Sequence, residues 1–269
     1  MAGTILEVRN LTKKFNNFTA VDSISFSVEK SEIFGVVGPN GAGKTTTIKV
    51  LTTLLPPTSG EALVAGYNVL RNASKVRRII GYVPQMISAD GSLSGYENLL
   101  VFAKLYDIPP KERGKRIMES LSFMGLTDSA DKLVRTYSGG MIRRLEIAQA
   151  VIHKPFILFL DEPTVGLDPI ARESVWNYVL TLAKAGTTVL LTTHYMEEAD
   201  AICDRIAIMH RGSIAAIGSP ADLKESVGDK NATLNRVFEF YAGDTIESNE
   251  QGGNFKDISR TRRVARKLG

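Results

Sequence analysis

Cysteine is almost missing: Cys203 stands alone in 269 residues. One thiol closes no internal disulfide and offers no paired zinc-binding cysteines, so a disulfide scaffold and a zinc module are excluded and a reducing compartment is expected. Cys203 itself reads as a small core residue. Long apolar runs are missing too, since the densest, Phe156–Leu160, is five residues long, against the ~20 needed to cross a bilayer. The N-terminal stretch lacks the charged-then-apolar pattern of a secretory signal, which argues against secretion. There is no repeat at a solenoid period, no heptad run, no low-complexity tract and no Asn-Lys-x-Asp guanine-reading motif. What is present is ordinary globular material: 43% apolar and 23% charged residues, enough to build a core and to exclude wholesale disorder. The length fits one large domain or two small ones.

Residues 4–30 alternate with period two, at Ile5, Glu7, Val8, Phe15 to Phe18 and Ile24 to Val28, and read as short strands with a turn. The apolar run Ile33–Val37 has the composition of a buried strand. It enters a Gly-rich loop, after which 44–55 is helical until Pro56 and Pro57 stop it. Residues 61–70 read as strand, with Gly66, Tyr67 and Asn68 as a turn. From about 86 to 150 the spacing becomes three and four, giving helices at 96–106, 110–124 and 139–153. Strand 156–160, helix 169–185, strand 188–192, helix 195–202 and strand 205–209 follow. A hairpin punctuated by Gly212 and Gly218 and a short helix at 220–226 come next. Alternating strands and helices predict an α/β fold with a parallel sheet. An N-terminal antiparallel β subdomain and an inserted helical subdomain decorate it.

Gly38-Pro39-Asn40-Gly41-Ala42-Gly43-Lys44-Thr45 fits G-x-x-x-x-G-K-[ST] between a buried strand and a helix, the pattern of a P-loop NTPase core. Glycines let backbone N–H groups curl around phosphate oxygens, and the helix N-terminus directs its positive end at the same anion. Lys44 reaches the β- and γ-phosphates and the Thr45 hydroxyl can ligate magnesium; Thr46 continues the loop. In sequence, 117 residues beyond Lys44, the apolar strand Phe156–Leu160 ends in Asp161 and Glu162. Acids at the end of a buried strand must be solvated or hold a cation, and in open α/β sheets that end faces the ligand. Asp161 is expected on the metal side, acting through water. Glu162, on the opposite side of the chain, is expected to polarise an attacking water. Loop and acids together imply a nucleoside triphosphatase.

Tyr137-Ser138-Gly139-Gly140-Met141 opens an apolar-periodic helix 23 residues before Asp161. With that spacing the sequence, over about residues 4–240, resembles the ATP-binding-cassette ATPases, whose signature is Ser-Gly-Gly followed by a helix. The resemblance implies a dimer of two cassettes, identical or different, paired head to tail. In it Ser138, Gly139 and Gly140 of each would close over the other's ATP. It also implies that Gln85 senses magnesium and the γ-phosphate, that Asp168 in Gly166-Leu167-Asp168-Pro169 signals across the dimer, and that His194 is the switch histidine. Phe15 aligns with the aromatic residue that stacks on adenine, with Phe18 close by. Tyr137 stands where Leu is common and Met141 where Gln is common. The segment Ser92–Asn98 is an unusual version of the one facing the membrane partner.

The expected catalytic set is therefore Glu162, His194 and Gln85, with Thr45, Gln85 and Asp161 for the metal. ATP and magnesium are the implied cofactors. Residues 1–242 form the cassette, with its helical insertion at about 86–150, and 243–269 a flexible basic tail. The resemblance implies an ATPase driving a separate integral membrane permease from the cytoplasmic face of the cell membrane. Thr193–Asp200 and Thr233–Phe238 resemble the export branch that handles drugs, polyketides and lipids. The alternative is a soluble single-cassette ATPase of assembly, for example of iron–sulfur centres. The net charge is +4. Six basic residues and one acid lie in 256–269, so the other 255 residues sum to −1. The basic character belongs to that tail, expected to meet an anionic membrane face or the permease or simply to be solvated. Nucleic acid is not an expected partner.

Overall fold

The structure, a computed structural model, describes residues 3–228 and 232–251. From the N-terminus, β1 (Thr4–Phe15) and β2 (Phe18–Glu29) form a hairpin, β3 (Ile33–Val37) runs into the Gly-rich loop and α1 (Lys44–Leu51) leaves it. Then come β4 (Ser59–Val64), β5 (Tyr67–Asn68), α2 (Ala73–Ile79) and β6 (Ile80–Val83). The helices α3 (Gly95–Leu105), α4 (Pro110–Phe123) and α5 (Gly139–Val151) follow. The chain continues through β7 (Ile157–Asp161), α6 (Pro169–Lys184), β8 (Thr188–Thr193), α7 (Met196–Ile202), β9 (Arg205–His210) and β10 (Ser213–Gly218). It closes with α8 (Pro220–Ser226) and α9 (Leu234–Gln251).

Among the described residues the strands form two sheets. One is antiparallel, ordered β2-β1-β4-β5; the other is ordered β10-β9-β3-β8-β7-β6, parallel from β6 to β9 with β10 antiparallel at its edge. Strands β3, β7 and β8 are buried along their whole length, as expected of parallel strands covered on both faces. The pleat divides their side chains between two cores. Ile33, Val37, Leu158, Leu160, Val189 and Leu191 pack toward the α3–α7 side. Phe34, Val36, Ile157, Phe159 and Leu190 pack toward α1 and the antiparallel sheet. Successive residues of a strand point to opposite faces, so one apolar run serves both. Cys203 is buried, as expected of a core residue.

The inserted helices are fixed by local chemistry. Ser94 caps α3, its hydroxyl accepting the Glu97 N–H at 3.2 Å while the Glu97 carboxylate accepts the Ser94 N–H at 2.8 Å, a reciprocal capping box. Pro110 opens α4 at a position where its missing N–H costs nothing. Leu99, Ala103, Ile117, Leu121 and Met124 are buried where these helices meet α5.

Several elements differ from the expectation. The first thirty residues hold two twelve-residue strands rather than several short ones, kept paired by register shifts along the hairpin. Tyr67 and Asn68 pair with β4 as a short strand rather than only turning. Elements α2, β6 and α9 were not anticipated. Helix α9 runs through residue 243, where a tail was expected to begin, to Gln251. The basic stretch 256–269 lies outside the described residues.

Candidate nucleotide site

The site lies where β3, β7 and β8 end together at their carboxyl edge. Strand β3 stops at Val37, and the loop that follows is packed too tightly for side chains at two points. A Cβ on Gly38 would stand 2.1 Å from the Met209 carbonyl oxygen. At Gly43, where φ is +105°, a Cβ would stand 2.4 Å from the Ala20 carbonyl oxygen. Gly43 is also the residue that caps α1, and no side chain occupies the first-turn amides of that helix. Those N–H groups and the helix dipole face an open cavity of about 370 Å³. Asn40, Gly41, Gly43, Lys44, Thr45, Thr46, Gln85 and Glu162 line it, with Phe18 and Ala20 on the antiparallel-sheet side.

The Lys44 ammonium is buried and donates to the carbonyls of Gly38 at 2.8 Å and Pro39 at 3.0 Å. It also stands 3.2 Å from Glu162 Oε1. The other oxygen, Oε2, accepts the Gln85 amide N–H at 3.1 Å and lies 3.3 Å from His194 Nδ1. The Glu162 carboxylate is thus the meeting point of the loop lysine, Gln85 and His194. Its backbone is left-handed, with φ of 49°, an uncommon conformation for a residue with a Cβ and one that recurs at functional sites. The Glu162 N–H donates to the Thr192 carbonyl and to the Thr192 hydroxyl, each at 3.1 Å, which holds the turn in place.

Asp161, the last residue of β7, accepts the Thr45 hydroxyl at 3.0 Å and the Thr192 hydroxyl at 2.6 Å on one oxygen, Oδ1. Burial pushes its carboxyl above the usual carboxylate range, with the Glu162 charge adding to the rise, against the pull of these two hydrogen bonds and of Lys49. A cation beside Asp161 and Thr45 would offset that burial. Two hard oxygen ligands suit magnesium, which takes few protein ligands and completes its shell with water and substrate phosphate. Among the described residues no cluster of three His, Cys, Asp or Glu side chains forms a protein cage for a metal.

The structure brings Gln85, Asp161, Glu162 and His194 to the Gly-rich loop and the first turn of α1, residues 38–46. It leaves Phe15 out of the cavity lining. Phe15 pairs with Phe18 across the β1–β2 hairpin, and Lys13 lies 5.0 Å over its ring. The side chain that lines the cavity is that of Phe18. Ser138, Gly139 and Gly140 lie outside the lining, at the start of α5, where the Ser138 hydroxyl accepts the Met141 N–H at 3.3 Å. Asp168 also lies outside it, capping α6 by accepting the Ala171 N–H at 2.9 Å. The two helix starts pack together, since a Cβ on Gly140 would stand 2.8 Å from that of Ala171.

Thr192 was not anticipated, because threonine is an ordinary residue of a buried strand and nothing in the Thr192-Thr193 pair before His194 marks its bonds to the two acids. Tyr137, the departure at the signature, is explained by another. Its hydroxyl donates to the Ser129 carbonyl at 2.6 Å, and a Cβ on Gly95 would stand 2.3 Å from the Tyr137 hydroxyl oxygen itself. The larger Tyr137 and the glycine opening α3 fit as a pair.

The sequence profile of the ABC transporter family matches residues 21–165. The linearmycin resistance ATP-binding protein LnrL of Bacillus subtilis is 43% identical over 224 residues, 83% of this chain and 72% of that protein. The daunorubicin/doxorubicin resistance ATP-binding protein DrrA of Streptomyces peucetius is 45% identical over 223 residues, 83% of this chain and 68% of its own length. Among solved structures, the ATP-binding subunit of an ABC transporter superposes with a TM-score of 0.79 at 28% identity, covering 88% of this chain and 99% of that one. An ATP-binding cassette of an ABC transporter in its ADP conformation superposes with a TM-score of 0.71 at 27% identity, over 81% of this chain and 91% of that one.

Proposed function

This chain belongs to the ABC transporter family, and from that premise we propose how its own residues perform the hydrolysis and coupling of the ATP-binding subunits. It is an ATPase coupled to transport, and the transport path is supplied by a separate membrane permease. Among the described residues no helix is long and apolar enough to cross a membrane. The alternative of a soluble ATPase of iron–sulfur assembly has no support among relatives named for drug resistance and export. Those names support export of a small hydrophobic, drug-like molecule, or of a lipid or polysaccharide, and the place proposed for the subunit is the cytoplasmic face of the membrane.

In the proposed cycle the triphosphate lies over the amides of residues 41–46. Lys44 turns its ammonium from the Gly38 and Pro39 carbonyls toward the β- and γ-phosphates and neutralises their charge. Thr45 and Asp161, already hydrogen-bonded, would hold magnesium with Gln85 at its edge, and the cation would draw charge from the phosphate oxygens. Glu162 accepts the proton of the attacking water. Gln85 and His194, both within reach of the same carboxylate oxygen, fix where that water and the γ-phosphate stand. Ser138, Gly139 and Gly140 act on the nucleotide of a second cassette, and Asp168, packed beside them, links the two sites. Phe18, or Phe15 beyond it, stacks on the adenine.

The observation that carries this reading is the convergence of Lys44, Gln85 and His194 on the Glu162 carboxylate at the mouth of the loop. Glu162→Gln keeps the shape and the Gln85 neighbour but removes the base. ATP binding should persist while hydrolysis falls by about a hundredfold or more. Hydrolysis by that variant at the wild-type rate would show that Glu162 is not the base.

A further inference from the structure

Helix α5 carries three polar side chains on one buried face, spaced by three residues. Arg143, Glu146 and Gln149 are 5%, 2% and 2% exposed, although charged residues are rarely buried without a purpose that offsets their desolvation. Their partners lie in order along the segment that carries Gln85. The Arg143 guanidinium donates to the Pro84 carbonyl at 2.8 Å and to the Gln85 carbonyl at 3.0 Å, and pairs with Glu146 at 3.0 Å. Glu146 then accepts the Ser88 N–H at 2.5 Å and the Ser88 hydroxyl at 3.0 Å. Gln149 donates to the Asn98 side chain at 3.2 Å, whose own amide oxygen accepts the Asp90 N–H at 3.0 Å. Between the first two anchors Met86 and Ile87 project into solvent, 81% and 64% exposed.

We propose that the Arg143–Glu146 pair is a positioning device that clamps the segment 84–88 to the helix opened by Ser138, so that Gln85 is held at the Glu162 carboxylate from α5. Side chains three apart share a helix face, so Pro84–Gln85 and Ser88 are fixed directly to one rigid element, and Gln149 reaches Asp90 beyond them through Asn98 of α3. The guanidinium spans the Pro84 and Gln85 carbonyls and the Glu146 carboxylate with rigid, separated N–H donors, a planar fork that the compact point charge of a lysine does not reproduce. Burial of the pair strengthens these bonds and makes the loss of any one expensive. The device sets Gln85 and the exposed Met86–Ile87 pair against the first turn of α5, so that a displacement of one is a displacement of all three. Neither Arg143 nor Glu146 lines the nucleotide cavity, and the pair acts through Gln85.

This inference rests on the proposed role of Gln85, and a double-mutant cycle separates the two. Gln85→Ala alone should lower the ATPase turnover number; no loss there would remove the role of Gln85 itself. With that loss established, Arg143→Lys should lower turnover about tenfold with little change in KM for ATP. It should add no further loss in the Gln85→Ala background. A loss of the same size in both backgrounds would mean that Arg143 only supports the fold, and would overturn the proposal. Should Arg143→Lys fail to fold, Ser88→Ala, at an exposed position, removes one bond to Glu146. It should reproduce a smaller turnover loss that likewise disappears with Gln85→Ala; persistence of the loss would overturn the proposal in the same way.

Discussion

At the scale of single residues, the site is a set of positions whose neighbours each demand a particular chemistry. Gly38 and Gly43 are required because a Cβ would meet carbonyl oxygens of β9 and β2. Thr192 is required because it serves two acids, accepting the Glu162 N–H and donating to Asp161. The aromatic stacking partner tests how residue-level geometry differs from alignment. The family resemblance points to Phe15, yet its ring carries Lys13 and lies outside the cavity lining, whereas Phe18 lines it. Phe18→Ala should weaken ATP binding by about 1 kcal/mol, the loss of one aromatic stacking contact. Phe15→Ala should change it by less than half that amount. Titration with a fluorescent ATP analogue measures both, and the reverse order would return the role to Phe15.

Lys44, Asp161, Glu162 and His194 were legible as candidate site residues because each combines an unusual chemistry with a place that elementary topology assigns, whereas Gln85 was expected from the family resemblance alone. An acid pair at the end of an apolar strand, a lysine after a glycine loop and a histidine after an apolar strand all point to one edge of a parallel sheet. Thr192 and the clamp of Arg143 and Glu146 were not read. Threonine is an ordinary strand residue, and charges on a helix read as its solvated face until the partner carbonyls are located.

At the scale of elements, the long apolar strands and the periodic helices were legible, and three shorter or more polar pieces were not. Helix α2 buries only Val76, so it has no apolar stripe to reveal a period of 3.6. Strand β6 has four residues, one of them Gly81, and glycine lowers any strand reading. That glycine is there because a Cβ would stand 2.3 Å from the Ala150 carbonyl at the end of α5. Helix α9 continues beyond Gly243 into polar sequence, where composition alone suggested a tail.

The pairing of Tyr137 with Gly95 is a property of two elements, the turn before α5 and the first turn of α3. Gly95→Ala should destabilise the fold by about 1–3 kcal/mol, the usual cost of overpacking, even though alanine is the better helix former. Tyr137→Leu removes the obstructing hydroxyl together with its bond to the Ser129 carbonyl. The double variant Gly95→Ala with Tyr137→Leu should therefore be more stable than Gly95→Ala alone. Urea denaturation of the four proteins of this cycle gives the coupling, and strict additivity of the two changes would contradict the steric account.

At the scale of the whole molecule, the arrangement of Ser138 bears on the proposed dimer. Its helix start is packed against that of α6 and lies outside the cavity of its own chain, yet it offers amides and a hydroxyl suited to an anion. In the proposed dimer that anion is the γ-phosphate held by the partner. The difficulty in testing this is that Ser138 also caps α5, so that Ser138→Ala would cost about 1 kcal/mol of stability for local reasons. Ser138→Asp separates the two roles. Aspartate caps a helix as well as serine does, but its charge would oppose a phosphate in the same place. In the Glu162→Gln background, ATP should shift the protein from monomer to dimer on size exclusion. Adding Ser138→Asp should abolish that shift while leaving the melting temperature and monomer ATP binding close to those of the parent. An ATP-dependent dimer that survives the added charge would mean that the signature helix does not meet the partner's nucleotide.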